Sequence, residues 1–245
     1  MKFLNLSILI VILLGSGFSV AQQVRAVNDY WPPFSDDSLQ GNGLGVELLR
    51  LAMTPLGHAV SFEHLPWTRL LKMAEVGEDM VIAGLWFNQD RTRFLLYSEP
   101  YYQSKIKFLK RADDTFTYAG IKSLDGKAVG IIANYQYGDD FYQTDSFKRY
   151  PAKDIQLNID RLLKRRIDLT LDTAGVLMAA VRNFTPEQQK QLALVDAPLR
   201  EAPVYIACPK VNKNCADIIR HFNRALERFR QDGTYHRLLQ QYGLE

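Results

Sequence analysis

The chain has 245 residues, of which 47% are hydrophobic and 23% are charged. Its 30 basic and 27 acidic residues give a formal net charge of +3 at pH 7, which argues against a nucleic-acid-binding protein because such proteins carry a marked basic excess. The hydrophobic fraction is ample for a buried core, and the length allows one large domain or two small ones.

The first residues have the pattern of a secretory signal peptide. Lys2 supplies a positive charge, residues 4–14 are mostly apolar, and residues 19–21 (SVA) place small side chains where a signal peptidase cleaves. The apolar run is shorter than the roughly 18 to 20 residues that span a bilayer, which disfavours a retained anchor. We therefore expect residues 1–21 to be a signal peptide and the mature chain to be a soluble periplasmic protein.

The next segment alternates between the periodicities of strands and helices. Strands are predicted over 24–27, 59–64 and 80–83, and helices over 45–56 and 68–76. This alternation is typical of α/β architecture.

The same alternation restarts after residue 110. Asn158 is predicted to cap a helix, because its side chain can accept a hydrogen bond from the first helical turn. The other predicted elements are strands over 128–132, 155–157, 169–171 and 204–208, and helices over 137–142, 173–181, 216–230 and 231–242.

The two cysteines, Cys208 and Cys215, lie seven positions apart, between the last predicted strand and the helix that follows. In an oxidising compartment this spacing favours a local disulfide, with two buried free thiols as the alternative. Two cysteines without a nearby histidine offer too few ligands for a metal site, and we expect none.

Two similar α/β units in one chain predict two lobes. Because no linker rich in proline, glycine or serine separates them, we expect two extended segments, 105–110 and 204–208, to cross between them. The predicted lobe 1 comprises residues 22–107 plus 207–245, and lobe 2 comprises residues 108–206. Ligands of such folds bind beyond the carboxyl ends of the strands, here in the cleft between the lobes.

Arg91 is the first candidate for ligand binding. It follows an apolar segment that contains Gly84, so its guanidinium would stand at the carboxyl edge of a strand. A planar, fork-shaped donor held in such a place suits a carboxylate. The alternative is an ordinary solvated surface charge.

Eight short motifs occur in register along the chain. They are residues 29–34 (DYWPPF), 45–49 (GVELL), 66–67 (PW), 82–85 (IAGL) with Arg91, 97–102 (YSEPYY), 123–130 (SLDGKAVG), 166–172 (RIDLTLD) and 232–235 (DGTY). This succession resembles the bacterial extracellular solute-binding proteins of family 3, the polar amino-acid receptors of ABC transporters. The resemblance implies a type II periplasmic binding fold, with two α/β lobes that are joined by two crossing strands and close on a small ligand.

The resemblance also implies roles for two charged residues. Arg91 matches the arginine that binds the α-carboxylate of the ligand, and Asp172 matches the acid that binds its α-ammonium. A zwitterion removed from water needs a fixed cation and a fixed anion, because unpaired buried charge is costly. The alternative for Asp172 is that it caps the helix over 173–181.

Aromatic residues complete the predicted pocket. By the resemblance, Trp31 and Trp67 match positions that line it, although plain packing is an alternative for Trp67. Aromatic faces can hold an apolar or planar group and attract a cation. Tyr30 and Gly84 are included in the same predicted ligand-binding set.

The chain departs from the family pattern at two places. Trp86 stands where these receptors usually have a small hydroxyl residue, and Asn134, Tyr135 and Gln136 replace a glycine followed by serine or threonine. The second loop can still donate through amide groups and a helix N-terminus. We hypothesise that Trp86 narrows or roofs the site. The ligand is then smaller or flatter than a typical polar amino acid, or belongs to another chemical class.

Other functions are weighed against the receptor. Some proteins that resemble this family are cyclohexadienyl dehydratases, and such an enzyme would use a cleft carboxylate such as Asp172. Others are lytic transglycosylases, which carry an additional catalytic domain. The four histidines match neither a nucleophile elbow nor metal-ligand spacing. The same fold serves in signalling receptors, so an orphan or signalling-associated receptor for another ligand is an alternative.

We therefore predict a monomeric binding protein without catalytic residues, cofactor, metal or nucleic-acid partner. It would capture a small carboxylate-bearing ligand, an amino acid or a derivative, and deliver it to an ABC permease in the inner membrane.

Overall fold

A computed structural model describes residues 23–244; the predicted signal peptide lies outside them. The strands are β1 (Gln23–Asn28), β2 (Ala59–His64), β3 (Val81–Trp86), β4 (Leu95–Tyr97), β5 (Tyr102–Arg111), β6 (Ala128–Ile132), β7 (Lys148–Ala152), β8 (Leu169–Thr173), β9 (Leu192–Leu194) and β10 (Arg200–Pro209). The α-helices are α1 (Leu44–Met53), α2 (Trp67–Glu75), α3 (Asp139–Tyr142), α4 (Ile155–Leu163), α5 (Ala174–Val181), α6 (Pro186–Gln189), α7 (Cys215–Gln231) and α8 (Thr234–Tyr242).

Short 3-10 helices occupy Gln40–Asn42, Thr54–Leu56, Asp90–Arg93 and Ile121–Leu124. Within residues 23–244, every helix is too short or too polar to span a membrane.

The sheet consists of two parallel groups of strands joined by a central antiparallel pair. Its order is β2-β1-β3-β10-β5-β8-β6-β7. β1 pairs in parallel with β2 and β3, and β6 pairs in parallel with β7 and β8. Between the groups, β5 and β10 are antiparallel, with Tyr102 opposite Val204 and Ile106 opposite Arg200. These two ten-residue strands are the connections that cross between the lobes, and they are longer than the segments predicted from the sequence.

The first group of strands is covered by α1 and α7. In α7 the buried residues recur at helical spacing, with Ile218, Phe222 and Leu226 on the inner face. Gly45 allows α1 to approach β3 closely, because a Cβ atom there would lie 2.0 Å from the carbonyl oxygen of Ala83. Any side chain at this position would force the helix away from the sheet.

In the second group of strands, the structure differs from two predictions. Residues 155–157 were expected to form a strand and Asn158 to cap the following helix, and both predictions are wrong. The strand is β7, and α4 begins at Ile155, because Asp154 accepts a hydrogen bond from the backbone N–H of Leu157 at 2.8 Å. Asn158 is buried inside α4 and donates from Nδ2 to the carbonyl oxygen of Ile131.

The predicted disulfide is confirmed. Cys208, near the end of β10, is bonded to Cys215, the first residue of α7, with an S–S distance of 1.99 Å. It closes the turn between the last strand and the long helix.

Candidate ligand-binding site

A narrow cavity lies beyond the carboxyl ends of β1 and β3, where both strands meet the loop that follows β6. Its walls are Asn28, Trp31, Trp67, Gly84, Leu85, Trp86, Arg91, Tyr135 and Gln136. The cavity has a volume of only about 20 Å³. Side chains therefore fill most of the space between these strands and the loop.

Four of these residues form what we call the aromatic box: Trp31, Trp67, Trp86 and Tyr135. Their neighbouring rings meet at steep angles. The centroids of Trp31 and Trp86 are 5.5 Å apart with an interplanar angle of 82°. For Trp86 and Tyr135 the values are 5.4 Å and 83°, and for Trp67 and Tyr135 they are 5.7 Å and 79°. These are edge-to-face arrangements, which aromatic pairs prefer over flat sandwiches.

Hydrogen bonds fix the orientation of the three indoles. Each ring N–H donates to a group outside the cavity lining: Trp31 to Oδ1 of Asp172 at 3.0 Å, Trp67 to the carbonyl oxygen of Asn134 at 3.2 Å, and Trp86 to Oγ of Ser104 at 3.2 Å. Because the N–H groups are engaged elsewhere, the indoles present mainly ring carbon to the cavity.

Gly84 makes room for this arrangement at the carboxyl end of β3. A Cβ atom at this position would lie 3.0 Å from Nδ2 of Asn28 and 3.3 Å from Cε3 of Trp31. Such contacts are tighter than ordinary packing allows, so a larger residue would push Trp31 away from the strand.

Arg91 brings positive charge to the cavity from the 3-10 helix Asp90–Arg93. Its guanidinium lies 5.1 Å from the centroid of Trp67, and Nη2 donates to the carbonyl oxygen of Asn134 at 2.5 Å. Among residues 23–244, no carboxylate oxygen lies within 4.0 Å of a guanidinium nitrogen of Arg91, the distance that defines an ion pair. Burial lowers the pKa of Arg91 below its ordinary value. The site thus holds a half-buried guanidinium without an anionic partner.

Asn134 ties the loop after β6 to the opposite side of the cavity. Its carbonyl oxygen accepts hydrogen bonds from Trp67 and Arg91, and its side-chain Nδ2 donates to Oγ1 of Thr68 at 3.2 Å. The residue has a φ of 63°, a left-handed conformation that asparagine tolerates better than most residues. In this conformation the backbone carbonyl faces Trp67 and Arg91.

Asp172 lies at the end of β8 and is only 1% exposed. Its Oδ1 accepts hydrogen bonds from the indole of Trp31 and from the backbone N–H of Thr173, at 3.0 and 2.7 Å. Burial raises the pKa of Asp172 from 3.8 to about 7, although both hydrogen bonds act in the opposite direction. It does not cap the following helix, because Thr173 does so by accepting from the N–H of Val176.

A wider cleft of about 740 Å³ adjoins the narrow cavity and shares Arg91, Tyr135 and Gln136 with it. Its other walls include Lys72, Arg93 and Asn134. Arg91 therefore borders both spaces, and its guanidinium can be approached from the wider one.

The sequence profile of "Bacterial extracellular solute-binding proteins, family 3" matches residues 24–245. The chain belongs to this family. The resemblance inferred from the eight motifs and the predicted solute-binding role are thereby confirmed.

Two relatives of this solute-binding protein span most of both sequences. A probable histidine-binding protein of Neisseria gonorrhoeae is 24% identical over 228 residues, covering 89% of this chain and 81% of that protein. An arginine-binding periplasmic protein of Mannheimia haemolytica is 22% identical over 229 residues, covering 89% and 90%.

Solved structures resemble the solute-binding protein over its full fold. An ancestral arginine-binding protein bound to glutamine has a TM-score of 0.76 at 20% identity, covering 91% of this chain and 98% of that one. A histidine kinase sensor domain has a TM-score of 0.75 at 19% identity, covering 91% and 96%. The ancestral amino acid-binding protein AncCDT-1, a precursor of cyclohexadienyl dehydratase, has a TM-score of 0.73 at 17% identity, covering 90% and 95%. These likenesses confirm the predicted two-lobed α/β fold.

Most of the ligand-binding residues predicted for this solute-binding protein line the narrow cavity. Those in its lining are Trp31, Trp67, Gly84, Trp86, Arg91, Tyr135 and Gln136. Three others lie outside this lining. The carbonyl oxygen of Asn134 accepts hydrogen bonds from Trp67 and Arg91, Asp172 lies behind Trp31, and Tyr30 is 42% exposed with its ring beside His64.

The sequence analysis missed two residues of the lining, Asn28 and Leu85. Asn28 ends β1, and a buried polar residue at the carboxyl end of a strand is a signal that identifies such positions. Leu85 lies in an all-buried strand, whose pattern does not show which side chains face a ligand.

Proposed function

We propose that this protein binds a small ligand that bears a carboxylate, an amino acid or a derivative, between its two lobes. The observation that carries the proposal is the unpaired guanidinium of Arg91. A ligand carboxylate would supply the anion that this half-buried cation lacks, and charge-assisted hydrogen bonds of this kind contribute about 1.5 to 3 kcal/mol each. The relatives described as histidine- and arginine-binding proteins support an amino-acid ligand.

The position of the site also supports a receptor that closes on its ligand. Arg91 belongs to the proposed lobe 1 (residues 22–107 plus 207–245), and the loop carrying Tyr135 and Gln136 belongs to the proposed lobe 2 (residues 108–206). A ligand that contacts both lobes stabilises the closed arrangement by its differential affinity for the two states. Closure would then signal occupancy to a permease.

The proposed setting is the periplasm, with residues 1–21 as the signal peptide and an ABC permease as the partner. The name of the relative from Mannheimia haemolytica, a periplasmic binding protein, supports this location. We propose that the protein acts as a monomer.

Binding without catalysis is favoured by the surroundings of Asp172. A dehydratase-like enzyme would need a carboxylate that touches its substrate, and the likeness to the dehydratase precursor makes this the second candidate. Asp172 instead lies outside the cavity lining and is hydrogen-bonded to Trp31 and Thr173. Turnover of prephenate or arogenate by the purified protein would decide in favour of the enzyme.

The central test removes the guanidinium. The protein is unfolded and refolded to strip carried-over ligand, and amino acids, organic acids and amines are screened for a thermal shift, since a ligand of the native state raises apparent stability. We expect carboxylates to stabilise the wild type and to bind Arg91→Ala about 10- to 100-fold more weakly, in line with the loss of one charge-assisted contact.

Two matched variants sharpen this test. Arg91→Lys retains the charge without the planar fork and should recover only part of the affinity. Arg220→Ala removes an exposed arginine on α7 that pairs with Asp217, and it should bind like the wild type. Undiminished carboxylate binding by Arg91→Ala would overturn the proposal.

A further inference from the structure

We propose that the aromatic box receives a fully methylated ammonium group. The ligand class is then a compact zwitterion with a quaternary ammonium at one end and a carboxylate at the other. This inference rests on the proposed function, because it leaves the carboxylate to Arg91 and assigns the opposite end of the same ligand.

The four aromatic residues of the box line one cavity. Along the series Trp31, Trp86, Tyr135 and Trp67, each ring stands within about ten degrees of perpendicular to the next, at 82°, 83° and 79°. Each edge-to-face contact covers part of one ring face, and the remaining ring surface of the four residues borders the shared cavity. Aromatic walls of this kind bind cations, because each ring face carries negative electrostatic potential, and quaternary ammonium groups are the usual guests.

The hydrogen bonds of the indoles point to the same guest. Each of the three tryptophans donates its N–H away from the cavity lining, to Asp172, Asn134 and Ser104 respectively. With the loop after β6 in its present position, the box therefore has few polar hydrogens to offer a ligand. It presents ring surface, which suits methyl groups that carry a share of positive charge.

The lining lacks the carboxylate with which a buried primary ammonium usually pairs. Such a group has three N–H donors, and leaving one unpaired in a buried site costs about 1 to 3 kcal/mol. Among residues 23–244 no acidic side chain lines the cavity, and the uncharged hydrogen-bonding side chains in it, apart from the indoles, are the amides of Asn28 and Gln136 and the hydroxyl of Tyr135. A quaternary ammonium has no N–H donor, so it requires no acceptor from the walls.

The charges around the box set the orientation of the ligand. Asp172 lies behind Trp31, and its carboxyl, when ionised, favours a cation bound in the box. Arg91 lies over the ring of Trp67, 5.1 Å from its centroid, and borders the wider cleft. Because Arg91 and the box line one small cavity, the two ends of the ligand must be separated by only a few bonds.

A methylated head group needs more than the present 20 Å³. Trp31, Trp67 and Trp86 precede the crossing strand β5, whereas Tyr135 is carried by the loop after β6. Outward movement of this loop separates Tyr135 from the three indoles and widens the box. The contacts that this movement breaks are the hydrogen bonds of Asn134 with Trp67, Thr68 and Arg91.

Calorimetry with four ligands of matched shape tests the inference on refolded wild-type protein. Trimethylglycine is compared with dimethylglycine, with glycine, and with 3,3-dimethylbutyrate, a carboxylate of the same shape in which carbon replaces the charged nitrogen. We expect trimethylglycine to bind at least tenfold more tightly than each of the other three. Equal binding of 3,3-dimethylbutyrate would show an apolar pocket without cation recognition and would overturn the inference, as would absence of trimethylglycine binding.

Substitutions in the box provide the second arm. Trp86→Leu should abolish the preference for trimethylglycine over 3,3-dimethylbutyrate, and Trp86→Phe, which restores an aromatic face, should regain much of it. Tyr150→Leu is the matched control, because this tyrosine on β7 is 40% exposed and lies outside both cavities. A preference that survives in Trp86→Leu would count against the box.

The three tryptophans of the chain all belong to the box, so intrinsic indole fluorescence reports directly on its occupancy. We expect trimethylglycine to change the emission of the wild type in proportion to calorimetric saturation. Full calorimetric saturation with unchanged emission would place the ligand elsewhere and overturn the inference.

The variant Arg91→Ala separates failure of this inference from failure of the proposed function. If glycine or another primary amino acid binds more tightly than trimethylglycine and loses affinity in Arg91→Ala, the proposed function stands and the methylated ligand class is wrong. If all carboxylates bind Arg91→Ala as they bind the wild type, the proposed function itself is wrong.

Discussion

The indole N–H of Trp31 donates a 3.0 Å hydrogen bond to the buried carboxyl of Asp172, 141 positions later in the chain. It joins the loop after β1 to the carboxyl end of β8, and so connects the two parallel groups of strands. The same contact orients one wall of the aromatic box and satisfies a carboxyl that is removed from water. This pair therefore links the fold, the ionisation of Asp172 and the candidate site.

The first prediction concerns the pH dependence of stability. The pKa of Asp172 is raised from 3.8 to about 7 by burial, so the folded protein keeps a proton that the unfolded chain releases in this interval. This contribution to the free energy of unfolding therefore falls as the pH rises from about 4 to above 7, by on the order of 4 kcal/mol in total.

Urea unfolding of the wild type and Asp172→Asn at pH 5 and pH 8 measures this effect. Asparagine cannot ionise, so the variant should gain stability relative to the wild type as the pH rises. A difference between the two proteins that is the same at both pH values would contradict the raised pKa.

The second prediction concerns the hydrogen bond itself. Trp31→Phe retains an aromatic ring but leaves Oδ1 of Asp172 with one donor fewer. We expect a loss of about 1 to 3 kcal/mol in the free energy of unfolding, larger at pH 8 because bonds to a charged acceptor are stronger.

A double-mutant cycle at pH 8 isolates this coupling. Trp31→Phe should cost less in the Asp172→Asn background than in the wild type, since the charged acceptor is already gone. Strict additivity of the two changes would show that the cost of Trp31→Phe comes from packing alone.

The third prediction connects Asp172 to ligand binding. A cation in the aromatic box favours the ionised form of this carboxyl. Asp29 is its charged neighbour, and Lys107 is its register partner on the neighbouring strand. The affinity for a cationic or zwitterionic ligand should therefore increase as the pH rises through about 7. Calorimetric titrations at pH 6 and pH 8 measure this increase, which should be absent in Asp172→Asn. The same pH dependence in both proteins would assign it to another group.

The fourth prediction concerns the space at Gly84. Gly84→Ala places a methyl group 3.0 Å from Nδ2 of Asn28 and 3.3 Å from the ring of Trp31. We expect a loss of about 1 to 3 kcal/mol in stability, the usual range for overpacking, together with weaker ligand binding. Unfolding experiments and calorimetry measure the two effects, and an alanine variant with wild-type affinity would show that Trp31 can shift without loss of the site.

Much of the fold could be predicted from local patterns. The regular apolar spacing in α7 and the seven-residue separation of Cys208 and Cys215 led to a helix and a disulfide that the structure confirms. The prediction failed at residues 155–157, because a short apolar run fits a strand as well as a buried helix. The deciding signal was the cap at Asp154, one residue before the helix.

The candidate site was predictable only in part. Family motifs pointed to Arg91, Trp31 and Trp67, and the cavity contains all three. They also paired Arg91 with Asp172 across a cleft, whereas the structure places the carboxyl of Asp172 behind Trp31. A motif identifies a position on a strand but does not determine which neighbour shields its side chain.

By itself, the sequence determined the family, the alternation of strands and helices, and the presence of an arginine after an apolar strand. The tertiary structure alone decided that Trp31, Trp67, Trp86 and Tyr135 line one cavity with neighbouring rings edge to face, and that Arg91 meets no carboxylate among residues 23–244. The physical reason is that the direction of a side chain in a cleft depends on packing and hydrogen bonds with residues far away in the chain. Local periodicity carries no information about those partners.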